Sequence, residues 1–401
     1  MAGPMRDIRV VEIGVWVAGP SAGAILADWG AEVVKIEPPN GDPYRWVFGG
    51  RRPGGEAILN AAFEYDNRGK RSLALDIESE GGRRIVTELI GRADVFITNM
   101  RTKALERWGL DHETLCAAHP RLVYASVTGY GTRGPEKDRA SYDFGGFWAR
   151  SGIAAALTQA GTPPPAQRGG MGDHTTASAL AGGIAAALFE RERTGRGQWV
   201  STSLYRTGLF VLGWDTSMAL RSMPMPLGYA RNRAVNPAFN SYQDSEGRWF
   251  WLLGLEGDRH WPALVRAVER PDLGEDPRYS SLAVRIQNAA ELIATFDAIF
   301  TGKPLQAWAE AFDREDVWWA PVQTTEEVLS DPQAEGAGAF VEAPVAAGTA
   351  RVLASPVDFS ITPWEVRAPS PELGQHTEEV LLELGYDWDG IIGLKETGVI
   401  P

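Results

Sequence analysis

The sequence predicts a mixed α/β protein, with a large domain built from both chain ends and a smaller α+β domain inserted between them. Short apolar runs alternate with helical segments through the first half, as in a parallel sheet covered by helices on both faces. The character of the chain then changes, and strand-like runs return near its end. The predicted divisions are 1–205 (large domain), 206–320 (small domain) and 321–401 (large domain).

The elements of the first part follow one another closely. Residues 8–14 are a short apolar run and predict a buried strand. A helix over residues 20–29 follows, with Pro20 at its start and Gly30 at its end. The predicted series continues with strands at 31–37, 94–99 and 121–127 and with helices at 82–92 and 111–118.

The remaining elements are predicted from the same patterns. Residues 173–193 form the clearest helix, and Thr194-Gly195-Arg196-Gly197 ends it. Strands are predicted at 198–204, 249–253, 321–323 and 352–360, and helices at 261–268, 289–300 and 377–384. Tryptophans gather in the inserted region and are expected mostly in its core: Trp249, Trp251, Trp261, Trp308, Trp318 and Trp319.

The composition excludes several classes of protein. The chain has 401 residues, of which 44% are hydrophobic and 23% charged, and its formal net charge is −13. This balance argues against nucleic acid or an anionic membrane as the main partner. Cys116 is the only cysteine, which fits a reducing compartment. The sequence shows neither a signal-peptide pattern nor a bilayer-length apolar run, so we expect a cytoplasmic protein.

The turn after the first strand, residues 14–20, is a candidate anion site. Backbone N–H groups at a helix start can hold an anion. The turn lacks the GxGxxG pattern of dinucleotide sites, so a plain strand–helix connection stays open.

A run of cations, Asn67-Arg68-Gly69-Lys70-Arg71, is predicted to form a polar turn. Arg binds phosphate in a bidentate manner and Lys binds it as a point charge. A solvated loop is the alternative interpretation, and the run by itself favours that alternative.

Asp173 follows a glycine-rich run, Gly169–Gly172, and opens the clearest helix. Asp is a preferred N-cap, so the local sequence favours a capping role. A helix start also favours the ionised carboxylate, and an ionised carboxylate can attack an activated acyl group. The five histidines do not pair with one another or with Cys116 at metal-ligand spacing, so no metal site is predicted.

Short motifs occur in a specific order over essentially the whole chain: Ala18-Gly19-Pro20, residues 26–37 and 67–76, Gly129-Tyr130-Gly131, Tyr142-Asp143, Gly172-Asp173, residues 194–198 and Asp331-Pro332-Gln333. Together they resemble the class III CoA transferase family, which includes formyl-CoA and carnitine CoA-transferases and α-methylacyl-CoA racemases. The resemblance implies a doubly wound, Rossmann-like large domain and an interlocked homodimer. It also implies transfer of coenzyme A between an acyl-CoA and a carboxylic acid, without a permanently bound cofactor.

The same resemblance implies roles for individual residues. Asp173 occupies the position of the family's catalytic aspartate, which forms a covalent acyl intermediate. Coenzyme A contacts carry over to three places: the turn near the thioester (Trp16, Val17, Ala18), the groove for adenine, ribose and phosphates (Leu75, Asn99, Met100, Arg107, Trp108), and the pantetheine (Tyr142).

Departures from the family pattern narrow the activity. Formyl-CoA transferases carry glutamine where this chain has Val17, a basic residue at Pro38 and lysine at Glu78. Their glycine run is replaced by Gly254-Leu255-Glu256-Gly257, so formyl-CoA chemistry is disfavoured. Racemases carry His-Asp where this chain has Tyr142-Asp143, and racemisation needs two acid/base groups. A CoA transferase is therefore predicted; a racemase or isomerase and a non-catalytic acyl-CoA-binding protein are the alternatives.

Overall fold

The chain alternates strands and helices through its first two hundred residues. A computed structural model describes residues 3–47, 50–51, 57–58, 60–223, 225–228 and 230–401. Its strands, in chain order, are β1 (Arg9–Ile13), β2 (Glu32–Glu37), β3 (Gly50–Arg51), β4 (Ala57–Ile58), β5 (Arg71–Ala74), β6 (Val95–Thr98), β7 (Val123–Thr128), β8 (Trp199–Ser203), β9 (Phe239–Gln243), β10 (Trp249–Leu253), β11 (Trp319–Pro321), β12 (Phe340–Val345) and β13 (Gly348–Leu353).

The helices cover the sheets and connect the strands. In chain order they are α1 (Ala18–Asp28), α2 (Ala61–Asn67), α3 (Glu80–Gly91), α4 (Thr102–Trp108), α5 (His112–Ala118), α6 (Ile153–Leu157), α7 (Met171–Thr194), α8 (Leu204–Val211), α9 (Gly213–Ala219), α10 (Gly257–Ala267), α11 (Pro271–Glu275), α12 (Leu282–Gln287), α13 (Ala289–Phe300), α14 (Leu305–Glu315), α15 (Thr325–Val328), α16 (Pro332–Gly336), α17 (Thr377–Leu384) and α18 (Trp388–Glu396). Within the described residues, no helix has the length and apolarity needed to span a bilayer.

The largest sheet has six strands in the order β5-β2-β1-β6-β7-β8, and every pairing is parallel. The chain builds outward from β1 to β5, then returns to place β6 on the other side of β1. The mixed α/β prediction is confirmed. An open parallel sheet with such a reversal carries its ligand sites outside the carboxyl ends of the strands at the reversal.

Helices bury both faces of this sheet. Val10 of β1 packs in one core with α1 and α7, whereas Val11 and Ile13 pack in a second core with α3, α17 and α18. Strands buried on both faces are nearly continuous apolar runs, which explains why β1, β2, β6 and β7 are recognisable in the sequence.

Charged residues interrupt the apolar core beneath α1. Glu12 of β1 and Lys35 of β2 are fully buried and form an ion pair at 3.2 Å. The Nζ atom of Lys70 lies 2.9 Å from the other Glu12 carboxylate oxygen. A Cβ atom at Gly23 of α1 would lie 2.1 Å from this carboxylate, so only glycine lets the helix cross it at this distance. A buried charge is tolerated when it is paired, as it is here.

The described residues divide into two units. The larger unit draws on Met1–Ala154, Ala166–Met225 and Gly338–Pro401, and the smaller on Ala155–Pro165 and Pro226–Ala337. Compact units need not coincide with independently folding domains, so the predicted boundaries at 205 and 320 stay a prediction.

The smaller unit contains the antiparallel sheet β11-β10-β9, with α10, α13 and α14 contributing to its core. The tryptophan prediction needs a correction here. Trp261 and Trp308 are in the core, but Trp249, Trp251 and Trp318 are exposed. In β10 the side chains alternate between the two faces of the sheet, and only one of these faces is covered.

The prediction of a strand over 352–360 was also wrong in part. The β12–β13 hairpin ends at Leu353, and residues 354–360 have no strand structure. The first strand of this hairpin, β12, was not predicted from the sequence.

Candidate active site

The loops after β1 and β6 meet at the reversal of the six-stranded sheet. The side chain of Asn99, just after β6, holds the backbone of Val15, just after β1. Asn99 Oδ1 accepts from the Val15 N–H at 3.0 Å, and its amide donates to the Val15 carbonyl at 2.7 Å. Gly14 leaves room for this contact, because a Cβ atom there would lie 3.1 Å from Asn99 Oδ1. Asn99 therefore fixes the two loops to each other at the place where the topology predicts a ligand crevice.

The turn after β1 has a strained backbone. Trp16 has φ +65°, a left-handed conformation that is rare for a bulky residue. Its N–H donates to Asp42 Oδ1 at 3.1 Å. Lys35 donates to the other Asp42 oxygen at 3.0 Å and to the Gly14 carbonyl at 2.9 Å. The buried lysine thus binds Gly14 directly and Trp16 through Asp42. These contacts hold the turn in its strained conformation.

The start of α7 is capped from outside its own segment. Gly170 is the N-cap residue, with φ +82° and no side chain to accept a bond. The Asp143 carboxylate instead accepts from the Gly170 N–H at 3.0 Å, and it accepts from Phe144 N–H at 2.8 Å. Asp143 thus supplies the oxygen that a capping residue would normally provide.

Asp173 lies in the first turn of α7, three residues after the N-cap. Its predicted capping role is wrong, since Gly170 and Asp143 together fill that role. Gly172 allows close packing here, because a Cβ atom would lie 2.5 Å from the Phe147 ring. No hydrogen bond within the described part of the chain occupies the Asp173 carboxylate. The side chain is half-buried and open to a reactant.

Acidic neighbours make Asp173 an unusual carboxyl group. Burial raises its pKa, the charges of Asp143 and Asp66 raise it further, and His174 lowers it; the result is about 7. Burial likewise raises the pKa of Asp143, against the bonds that its carboxylate accepts from backbone N–H groups. Asp173 therefore changes its charge near neutral pH.

His174 follows Asp173 and pairs with a buried carboxylate. Its Nε2 lies 3.0 Å from Oδ1 of Asp66, which is 1% exposed. Burial lowers the pKa of His174, but the hydrogen bond and charge of Asp66 outweigh that effect and raise it. The imidazole ring also meets the Tyr65 ring edge-on at 5.3 Å.

Three aromatic side chains lie in contact with one another near Asp66 and Asp173. The Trp16 and Tyr142 rings are in T-shaped contact at 5.3 Å, and Trp16 lies 6.2 Å from Tyr44. Tyr142 is 62% exposed and Tyr44 is buried. Burial and the charges of Asp66, Asp173 and Asp42 raise the pKa of Tyr44, so its hydroxyl stays protonated.

The predicted residues at the turn are therefore close together. Trp16, Asn99 and Tyr142 join the loops after β1 and β6 to the segment that caps α7. Val17 and Ala18 are buried at the start of α1, so their backbone is better placed for contact than their side chains.

The other predicted groove residues lie along the adjoining strand ends. Met100 and Trp108 are half-buried against the second core, and Arg107 is exposed, 2.5 Å from Glu78 Oε1. Leu75 is fully buried, backbone included, and its N–H donates to the Glu37 carbonyl, so the structure leaves no part of it exposed to a ligand. The Arg107 guanidinium lies 5.6 Å from the Trp108 ring centre, and this pair is accessible to an anion.

The cationic run at 67–71 contains the predicted turn, at Arg68 and Gly69, but it is neither a solvated loop nor an open phosphate site. The run lies at the end of α2 and the start of β5, and its side chains are neutralised internally. Arg68 pairs with Asp28 at 2.6 Å, Lys70 pairs with buried Glu12, and Arg71 pairs with three carboxylates around β5. These cations hold the sheet and α1 together. Among the described residues, no cluster of His, Cys, Asp and Glu could hold a metal ion.

A family model described as CoA-transferase family III matches residues 5–377. The chain belongs to CoA-transferase family III. The resemblance carried by the ordered motifs is thereby confirmed.

Similar members of the family are known from several organisms. The chain is 31% identical over 397 residues to the (R)-2-hydroxy-4-methylpentanoate CoA-transferase of Clostridioides difficile, covering 99% of each protein. It is 34% identical over 384 residues to the cinnamoyl-CoA:phenyllactate CoA-transferase of Clostridium sporogenes, covering 94% of this chain and 93% of that one. The crystal structure of a CAIB/BAIF family protein from Brucella suis matches with a TM-score of 0.82 at 29% identity, over 96% of this chain and 100% of that one.

Sequence reasoning missed several residues of the candidate site. Lys35 and Asp42 hold the Trp16 turn. Lys35 lies within the motif at 26–37 but was read only as part of an apolar strand, and Asp42 lies outside the motifs. A lysine within a buried strand needs an acidic or hydrogen-bonding partner, and this need is the one sign of the charge cluster in the sequence. Asp66 precedes the cationic run, and its pairing with His174 spans 108 positions, which no local pattern reveals.

Proposed function

We propose that this family III member moves coenzyme A between an acyl-CoA thioester and a carboxylic acid through a covalent intermediate on Asp173. The observation that carries the proposal is the half-buried Asp173 carboxylate, which has no hydrogen bond among the described residues. Its charge acts on Tyr44, whose ring lies 6.2 Å from that of Trp16 in the turn after β1. A carboxylate without hydrogen bonds is free to attack. With a pKa of about 7, a substantial fraction is ionised at neutral pH.

The chemistry needs only carboxylates and a thiolate. The Asp173 carboxylate attacks the thioester carbonyl, and the C–S bond breaks to give an acyl-aspartyl anhydride and the coenzyme A thiolate. The thiolate then attacks the aspartyl carbonyl and releases the original acid as its carboxylate. The acceptor carboxylate attacks the aspartyl thioester and expels the thiolate, which gives a second anhydride with Asp173. The thiolate then attacks the acceptor's carbonyl, which completes the new acyl-CoA and releases the Asp173 carboxylate. Each step exchanges one acyl bond for another, so electrons and protons balance.

The start of α1 is the proposed site of oxyanion stabilisation. No hydrogen bond found among the described residues uses the N–H of Val17, Ala18 or Gly19 as a donor. Free N–H groups at a helix start attract negative charge as it develops on the carbonyl oxygen. Asn99 and Asp42 hold the preceding N–H groups, so the turn is fixed before the substrate binds.

The proposed coenzyme A groove runs from this turn along the strand ends. Trp16, Val17, Ala18 and Tyr142 flank the thioester and pantetheine. The arm with adenine and phosphates lies along Asn99, Met100, Trp108 and Arg107. Arg107 binds a phosphate in exchange for its exposed contact with Glu78, a modest cost because exposed ion pairs contribute little.

We also propose a homodimer located in the cytoplasm, with the interlocked arrangement as its expected form. Exposed apolar side chains are concentrated on α8, α9 and the segment after α9: Phe210 (85% exposed), Trp214 (73%) and Leu220 (79%). Apolar surface of this kind usually marks an interface. Sedimentation analysis tests the assembly; a monomer at micromolar concentration would contradict it.

The test of the function compares Asp173→Asn with a matched control. The substrate panel includes aliphatic and aromatic CoA thioesters with carboxylic acid acceptors, and mass spectrometry reads the exchange. Asp173→Asn is expected to lose at least about a thousandfold in transfer while still binding coenzyme A. The control, Asp389→Asn, removes an exposed acidic residue from the first turn of α18 and is expected to transfer at the wild-type rate. Normal transfer by pure Asp173→Asn would contradict the assignment.

The same panel distinguishes the alternatives. Exchange of the α-hydrogen of a 2-methylacyl-CoA in D2O, without transfer to an acceptor, would identify a racemase or isomerase. Tight binding of several acyl-CoAs without any turnover would identify a binding protein. Transfer without α-exchange is the result expected here.

A further inference from the structure

The His174–Asp66 pair lies beside the nucleophile but takes no part in the steps above. Asp66 is held on α2 with 1% of its surface exposed, and its Oδ1 lies 3.0 Å from His174 Nε2. His174 is 39% exposed at its side chain and adjoins Asp173 in the first turn of α7. The pair thus joins a fixed, buried carboxylate to a partly open imidazole next to the reacting group.

The fold makes room for this imidazole. A Cβ atom at Gly170 would lie 2.9 Å from the His174 ring, and the left-handed φ of Gly170 also favours glycine. The Tyr65 ring supports the imidazole edge-on. Because α2 supplies both Asp66 and Tyr65, the orientation of the imidazole is set by an element outside α7.

The charges around the pair are mostly negative. Burial raises the pKa of Asp66, opposed by its bond to His174, by that residue's charge and by Lys70. The charges of Asp66, Asp173 and Asp143 all favour a protonated His174. The titratable or charged groups around the pair are Asp173 and Tyr65 on its own two helices, and Asp143, Tyr44 and Lys70 on other segments. Within this group, His174 is the cation adjacent to Asp173.

We propose that His174, held 3.0 Å from buried Asp66 and next to Asp173 in the first turn of α7, is a positioning residue that supplies a positive counter-charge to the attacking Asp173 carboxylate. The inference rests on the proposed role of Asp173 as nucleophile. As a consequence, the pH below which activity is lost depends on Asp173 and His174 of α7 and on Asp66 of α2 together.

The experiment measures the titration of Asp173 directly and through activity. Carbon-13 NMR of labelled aspartate gives the midpoint, with the signal assigned by its loss in Asp173→Asn. The acid limb of kcat/KM, normalised to each variant's own plateau, gives the catalytic value. In His174→Gln both are expected to rise by about one pH unit, because an opposite charge near a carboxyl lowers its pKa by about that much or more. His119→Gln, on the far side of the sheet, is the control and leaves both unchanged.

A double-mutant cycle isolates the pair. In the His174→Gln background, Asp66→Asn only removes a negative charge, so the Asp173 midpoint falls. With His174 present, Asp66→Asn also makes His174 lose its proton more easily. The fall of the Asp173 midpoint is then cancelled or reversed. Circular dichroism confirms that the variants fold. An unmoved midpoint in His174→Gln, or equal effects of Asp66→Asn in both backgrounds, would overturn the inference.

The two readouts separate the inference from the proposed function. If Asp173 were not the nucleophile, the NMR midpoint would still move in His174→Gln while the activity limb would not. If Asp173 were the nucleophile and His174 merely structural, a covalent adduct would form and neither midpoint would move.

Discussion

Replacing Lys35 by methionine tests the buried charge cluster that supports the candidate site. Lys35 is fully buried and makes three contacts, to Glu12 at 3.2 Å, Asp42 at 3.0 Å and the Gly14 carbonyl at 2.9 Å. Methionine has a similar length but no charge and no donor. Breaking a buried pair from one side typically costs about 3–5 kcal/mol, because it leaves an uncompensated charge.

The structure places the expected loss at the lower end of that range. Glu12 keeps Lys70 at 2.9 Å, and Asp42 keeps the N–H groups of Trp16 and Tyr44. We therefore expect Lys35→Met to lower the free energy of unfolding by about 3 kcal/mol. Without Lys35, the Gly14 carbonyl loses its hydrogen bond and the strained turn can relax. Because this turn is the proposed thioester site, the KM for acyl-CoA should rise as well.

Urea unfolding followed by circular dichroism measures the loss, provided that the slope with denaturant is unchanged. Lys103→Met is the matched control: Lys103 is exposed, 3.6 Å from Asp138, and its loss should cost less than about 0.5 kcal/mol. A loss of under about 1 kcal/mol for Lys35→Met, indistinguishable from the control, would refute the reasoning.

Further predictions concern the nucleophile and the glycines around it. The pKa of Asp173 in the folded protein, about 7, exceeds that of an unfolded aspartate, so the folded state loses stability as pH rises from about 4 to 7. Asp173→Asn should therefore be about 1–2 kcal/mol more stable than wild type at pH 8, and a less stable variant in urea titrations would contradict this. Gly170→Ala should cost about 1 kcal/mol more than Gly161→Ala, since both have φ near +82° but only the first meets the His174 ring; equal losses would exclude that contact. Gly23→Ala puts a methyl group against the buried carboxylate of β1 and should cost about 2–3 kcal/mol by the same method; a neutral change would argue against the close packing of α1.

Much of the large unit could be predicted because its elements carry local patterns. The strands around β1 are apolar runs, and helix α17 matches its predicted limits of 377–384. In the smaller unit, helix α13 likewise matches its predicted limits of 289–300. The strand β5 was missed because its first residue, Arg71, belongs to the cationic run, whose neutralisation by distant carboxylates is invisible locally. The turn that the charges suggested is present at Arg68 and Gly69, but carboxylates from other elements allow a strand to begin at Arg71.

The candidate site could be predicted only through its ordered motifs. Asp173 was identified by resemblance, but its predicted position at the helix N-cap was wrong by three residues. The N-cap is Gly170, and its N–H donates to Asp143, which lies 27 positions earlier in the chain. The same limit hid Asp66 and Asp42. Side chains that act by reaching another element leave no periodicity or spacing in their own segment, so only the folded arrangement reveals them.

The most direct test is to trap the intermediate on Asp173. After incubation with an acyl-CoA that the protein turns over, hydroxylamine converts an activated aspartyl group to a hydroxamate, and borohydride reduces its thioester to homoserine. Cleavage after Arg168 and Arg191 releases a peptide of residues 169–191, in which Asp173 is the only aspartate. Modification of that residue, dependent on acyl-CoA, is the predicted result. Turnover without modification, or modification of a different residue, would contradict the covalent mechanism.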